Sequence, residues 1–220
     1  FAVAADAVPR LQTYITGSTY YHDTFENDFA TWITQNPSFE LKVVGYWHPY
    51  NIDPTSSLGV KGTPPAYDYL KTWLMITTPT DESGRIYING VEISSFAPFE
   101  DVVPSQLETN LSLQNHEPAG GAYFSFCELG MIDNANPLAW NYAYGQIGNQ
   151  GWGNEIPVQV VVDGYSWVHF DAVGIDSHDK TYVNPYSRDA SCYAVPEPGT
   201  LSLLGLGLLG LLPVFWRKLH

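Results

Sequence analysis

The chain has 220 residues, a length that suits one large domain or two small ones. Nine Lys and Arg against 23 Asp and Glu leave a net charge of −14, which argues against nucleic-acid binding, because neutralising phosphates needs a basic face. Aromatic residues make up 15% of the chain, which argues against disorder, and 19 Gly with 16 Pro interrupt it too often for long helices.

The chain starts at Phe1 without an initiator Met and reads as a fragment. Residues 1–7 hold two small-x-small triplets, Ala2-Val3-Ala4 and Ala5-Asp6-Ala7, which fit the end of a secretory signal peptide; an ordinary N-terminal segment is the other reading. Residues 8–194 then read as one β-rich ectodomain, large enough to bury a core without cross-links. Strand composition and period-two alternation mark residues 10–16, 29–34, 39–47 and 67–78, the last closed by Pro79. Residues 85–94 carry Asn89-Gly90 between Ile86-Tyr87-Ile88 and Val91-Glu92-Ile93, a two-residue hairpin signal. Further strands are expected over 107–113, 122–132, 155–162, 165–173 and 188–195, with Asp163-Gly164 as a second hairpin signal. Ten or so short strands and no convincing helix predict an all-β fold, an antiparallel β-sandwich of jelly-roll-like type.

Within this domain the search for chemistry is mostly negative. No G-x-S-x-G elbow, H-E-x-x-H pair, P-loop or EF-hand loop occurs. Of the six histidines (His22, His48, His116, His169, His178 and His220), none stands at metal-ligand spacing from another. His169 shares a strand face with Trp167 and Asp171, where a Ser-His-Asp or His-carboxylate site competes with a hydrogen-bonded structural histidine. Acidic residues bunch at Asp23/Glu26/Asp28, Asp81/Glu82 and Asp171/Asp176/Asp179; loop carboxylates suit a structural Ca²⁺, and equally a solvated surface. No catalytic, metal-binding or cofactor-binding residue is assigned. Trp140, Tyr142, Tyr144 and Trp152 are interleaved with Asn, Gln and Gly in a stretch with few strand signals. They are either sugar-stacking rings or the cover of one open end of the sandwich. Cys127 and Cys192 are an even pair, and a bridge would close a loop of about 65 residues and add roughly 4 kcal/mol; two buried thiols are the alternative.

Residues 201–216, LSLLGLGLLGLLPVFW, contain no charge and predict a short transmembrane helix of roughly 24 Å. Arg217 and Lys218 follow and suit the membrane interface. Gly205, Gly207 and Gly210 nominally spell a dinucleotide fingerprint, which is rejected because no strand–helix unit surrounds it. Just ahead stand Pro196, Glu197 and Pro198. The order of Pro-Glu-Pro, Leu/Gly-rich span and basic end over residues 195–220 closely resembles the PEP-CTERM sorting signal of Gram-negative bacteria. That resemblance implies processing by an exosortase, a transient stay in the inner membrane, and delivery to the cell surface or the extracellular matrix, in an exopolysaccharide and biofilm setting. The two prolines bias their neighbours toward extended backbone, the form in which a protease reads a peptide.

The ectodomain also has a resemblance. Phe29-Ala30-Thr31-Trp32-Ile33-Thr34, Asn36-Pro37-Ser38-Phe39-Glu40-Leu41, Ser166-Trp167-Val168-His169-Phe170-Asp171 and Pro185-Tyr186-Ser187-Arg188-Asp189-Ala190 together look like the choice-of-anchor secreted bacterial domains, most closely type N. Arg188 stands where that likeness calls for a His before Asp189. The likeness implies surface display and no particular chemistry. The expectation is a non-enzymatic structural or adhesive protein, with a carbohydrate-binding module as the alternative and a matrix-polymer hydrolase, built on paired carboxylates, as a third class.

Overall fold

The computed structural model describes residues 8–22, 30–47, 66–107, 122–143, 145–185 and 188–193. The first sheet contains β1 (Pro9–Ile15), β4 (Ser38–Trp47), β6 (Arg85–Ile88), β7 (Val91–Ile93), β9 (Ala139–Ala143) and β10 (Gln146–Asp163). Its order is β1-β4-β10-β6-β7, with β9 hydrogen-bonded to the first part of β10. The second sheet contains β2 (Thr19–His22), β3 (Ala30–Thr34), β5 (Tyr69–Pro79), β8 (Ala122–Asp133), β11 (Trp167–Asp176), β12 (Thr181–Val183) and β13 (Asp189–Tyr193). Its order is β2-β3-β13-β11-β5-β8, with β12 on β11.

Period-two alternation explains how the sheets meet. Leu11, Leu41, Val43, Val158 and Val160 of the first sheet share one core with Leu70, Leu74, Ile76, Val168, Phe170 and Ala172 of the second. The alternate residues of the second sheet, odd-numbered on β5 and β11 and even-numbered at the start of β8, project to its other face. There Trp73, Met75, Phe124, Val173 and Ile175 form a smaller cluster with Leu107, over which Phe99 and Val102 of the one-turn helix α1 (Phe99–Val102) pack. The all-β expectation thus holds as a two-sheet arrangement, and among the described strands β13 departs from antiparallel pairing by running parallel to β3.

The Asn89-Gly90 signal forms the expected hairpin, both residues taking positive φ (51° and 81°) as a type I′ turn demands. The second signal does not. Gly164 turns at φ 83°, but β10 and β11 lie in different sheets, so Asp163-Gly164 is a sheet-to-sheet corner rather than a hairpin. Leu107, expected to start a strand, sits in a bend, and the rest of that segment lies outside the described residues. Strands β2, β9 and β12, and the first half of β10, are additions to the sequence-based expectation.

The glycine-rich part of β10 passes as strand because bulk is impossible there. Gly151 abuts the Tyr46 ring, and a Cβ on Gly153 (φ +133°) would lie 1.9 Å from the Gly45 carbonyl oxygen. Among the described residues no helix is long and apolar enough to cross a membrane; the expected span over 201–216 lies outside them, as do residues 1–7.

Candidate functional site

Two adjacent strands build the site. On β11, His169 and Asp171 are spaced i, i+2; on β13, so are Asp189 and Ser191. The antiparallel register sets His169 opposite Ser191 and Phe170 opposite Ala190, which puts Asp189 beside Asp171 one step further on. All four side chains therefore share the outer face of the second sheet, and all four are buried. Nδ1 of His169 pairs with Ser191 Oγ at 2.7 Å, while Nε2 lies 3.2 Å from Asp171 Oδ2 and 3.6 Å from Asp189 Oδ2. On the flanking strands, Thr77 stands opposite His169 and Thr31 opposite Asp189.

Burial acts against a charged imidazole, but the coulombic pull of Asp171 and then Asp189, with the Asp171 hydrogen bond, outweighs it and raises His169 to about 9. At neutral pH the ring is an imidazolium with both nitrogens donating. Ser191, His169 and Asp171 do connect as a Ser-His-Asp chain, yet a protonated histidine is no general base, and Ser191 is only 3% exposed.

Asn184 completes the site. β12 leaves β11 after Val173 and β13 takes over at Phe170, so Ala172 would lose its ladder partner between them. Asn184 fills the gap: its N–H donates to Ala172 O (3.0 Å), its Oδ1 accepts from Ala172 N (2.6 Å), and its Nδ2 donates to Asp171 Oδ1 (3.1 Å) and to Arg188 O (3.3 Å). Asn184→Ala strands one buried N–H and strips a carboxylate of a donor. Its unfolding free energy in urea is expected to drop by about 2 kcal/mol, whereas an exposed Asn at this place would leave it unchanged.

The structure disperses several residues that the sequence groups together. Asp171 belongs to the buried site, whereas Asp176 closes the turn after β11 and Asp179 lies exposed at φ 62°. Asp176 Oδ1 accepts from the backbone N–H groups of His178 (2.8 Å) and Lys180 (2.9 Å), and Oδ2 from the Tyr182 hydroxyl (3.0 Å). Burial opposes ionisation of Asp176, and these donors outweigh it and lower its pKa. Asp176, Asp68 and His178 line an open cavity of about 310 Å³. Glu82 accepts hydrogen bonds from the N–H and hydroxyl of Ser166. Asp23, Glu26, Asp28, His48, His116 and His220 lie outside the described residues.

The four aromatic residues grouped by the sequence differ in their surroundings. Tyr142 is a core residue stacked on Tyr14 at 4.0 Å; its N–H donates to Gln12 and its hydroxyl to Glu155, which also pairs with Lys42 at 3.0 Å. Burial, then Glu155, pushes the Tyr142 phenol up to about 12. Trp152 packs against the same core, Trp140 is 40% exposed, and Tyr144 lies outside the described residues.

The expected Cys127–Cys192 bridge is not formed either. Both are free thiols, on β8 and β13, with β5 and β11 between them. Three strand spacings of about 4.8 Å exceed the Cα separation a disulfide spans. Burial raises both thiols, Cys192 to about 11.

Beyond β13 the chain carries its address. Residues 194–218 match the PEP-CTERM protein-sorting motif, which marks an exported protein, held at the membrane as a precursor and sorted to the cell surface with an exosortase as processing partner. Pro196, Glu197, Pro198, Arg217 and Lys218 fall inside the match. The comparison with characterised proteins and that with solved structures each found no match.

Proposed function

We propose that the protein is a non-enzymatic, exported surface or extracellular-matrix component of a Gram-negative bacterium, with a choice-of-anchor-like, jelly-roll-like ectodomain that acts by adhesion or packing in an exopolysaccharide and biofilm setting. The sorting motif carries this reading, because it begins at residue 194, one position after β13 ends at Tyr193. β13 lies between β3 and β11, so loss of the tail costs the sheet no strand. In this reading residues 1–7 end a signal peptide, and residues 201–216 hold the precursor in the inner membrane until an exosortase removes them. Burial of Ser191 and protonation of His169 support a passenger without hydrolase chemistry.

Glu197→Ala is expected to leave the fold intact and keep uncut precursor in the membrane. Intact mass spectrometry of protein from the native host reads the outcome. A mature chain that retains residues 201–220, or a variant secreted as well as the parent, contradicts the reading.

A further inference from the structure

We propose that His169 Nε2, Asp171 Oδ2 and Asp189 Oδ2 form a structural binding site for a divalent transition-metal ion of the Zn²⁺ class. Among the described residues these three are the group whose donor atoms all lie within 4.8 Å of one another. Zn²⁺ binds imidazole nitrogen and carboxylate oxygen at about 2.1 Å, and a tetrahedron of that radius has edges of about 3.4 Å. The two edges that meet at Nε2 measure 3.2 and 3.6 Å and bracket that value.

The surroundings are those of a metal site. Nδ1 is held by Ser191 and Asp171 Oδ1 by Asn184, the outer contacts that fix a ligating ring and carboxylate. The hydroxyls of Thr77, opposite His169, and Thr31, opposite Asp189, are buried and have no hydrogen-bond partner. Buried hydroxyls left in this way point to an ion or its water on the same face. Tyr193, two residues after Ser191 on β13, feels the charge of Asp189. Binding replaces the Nε2 proton, which is released to solvent, so the ion meets a neutral imidazole and two carboxylates. With ligands that are 5%, 0% and 2% exposed, the ion is captured as β13 docks on β11 and serves stability rather than turnover.

The test uses the full chain in detergent, with Cys127 and Cys192 both changed to Ser so that thiols cannot hold metal. Protein unfolded in chelator and refolded with Zn²⁺ is expected to retain about one ion per chain and to melt at higher temperature than metal-free protein, and Ca²⁺, which prefers six to eight oxygens, is expected to leave the melting temperature unchanged. Ser191→Ala keeps all three ligands and is expected to weaken Zn²⁺ binding about 10- to 100-fold with the fold retained. Retention below about 0.1 ion per chain with no thermal shift overturns the proposal, as does undiminished binding by His169→Gln.

Discussion

Asp171→Ala is expected to lower the unfolding free energy of the metal-free protein by about 4 kcal/mol, the upper part of the range for breaking a buried ion pair. The carboxylate is fully buried, accepts from Asn184, and is the nearer of the two anions that hold the His169 imidazolium. Without it the imidazolium keeps only Asp189, at 3.6 Å, in surroundings that solvate it poorly. Replacing both partners, as in the double change His169→Leu and Asp171→Leu, removes the charges together and is expected to cost less than the single change. Urea denaturation of the three proteins in chelator decides the matter. A loss under about 1 kcal/mol for Asp171→Ala would place the carboxylate in contact with water and contradict the buried network.

This site shows how far local patterns reach. Alternation alone places His169 and Asp171 on one strand face, and the same rule places Asp189 and Ser191 on another. That the two faces coincide depends on β13 lying beside β11, a pairing set by the point where β12 ends and by the amide of Asn184. No periodicity or motif near residue 189 carries that information, though the choice-of-anchor likeness draws attention to Arg188-Asp189 next door.

The aromatic stretch is illegible for the opposite reason. Trp140, Tyr142 and Trp152 among glycines give few strand signals and read either as sugar-stacking rings or as the cover of one end, because glycine is a poor strand former. The glycines of β10 instead make room for the Tyr46 ring and the Gly45 carbonyl, and close approach of that kind has no signature in the chain order. Cys127 and Cys192 are likewise an even pair by count, and only the strand order separates them. Where both flanks alternated strictly, as around Asn89-Gly90, the local reading and the structure coincide.

The buried network and the sorting motif are physically linked. His169 on β11 holds Ser191 by a hydrogen bond and Asp189 by charge, which ties β13 to β11 three and five residues ahead of the motif's first position. A tail drawn into a membrane or a processing enzyme pulls on β13, and the strand resists through buried charge as well as through its ladder hydrogen bonds. Cutting beyond residue 196 leaves every one of those contacts in place.

Metal-free protein is therefore expected to lose stability as the solution turns alkaline. The folded state holds His169 at about 9, above the value near 6.5 of an unfolded histidine. A raised histidine stabilises fully below pH 6.5, because the folded state binds the proton more tightly there, and that contribution fades as pH climbs to 9. The ring is fully buried, so solvent screening does not discount the effect, and 2.5 pH units correspond to a loss on the order of 3 kcal/mol. Asp171 and Asp189 are the charges responsible. The raised thiols of Cys127 and Cys192 act in the same direction, but only near and above the unfolded thiol value, so the histidine slope is read between pH 6.5 and 8. Urea midpoints measured across that interval in chelator should fall steadily for the parent and stay level for His169→Gln. A parent profile as flat as the variant's would mean that the imidazole is neutral in the fold, and that the two carboxylates do not hold it charged.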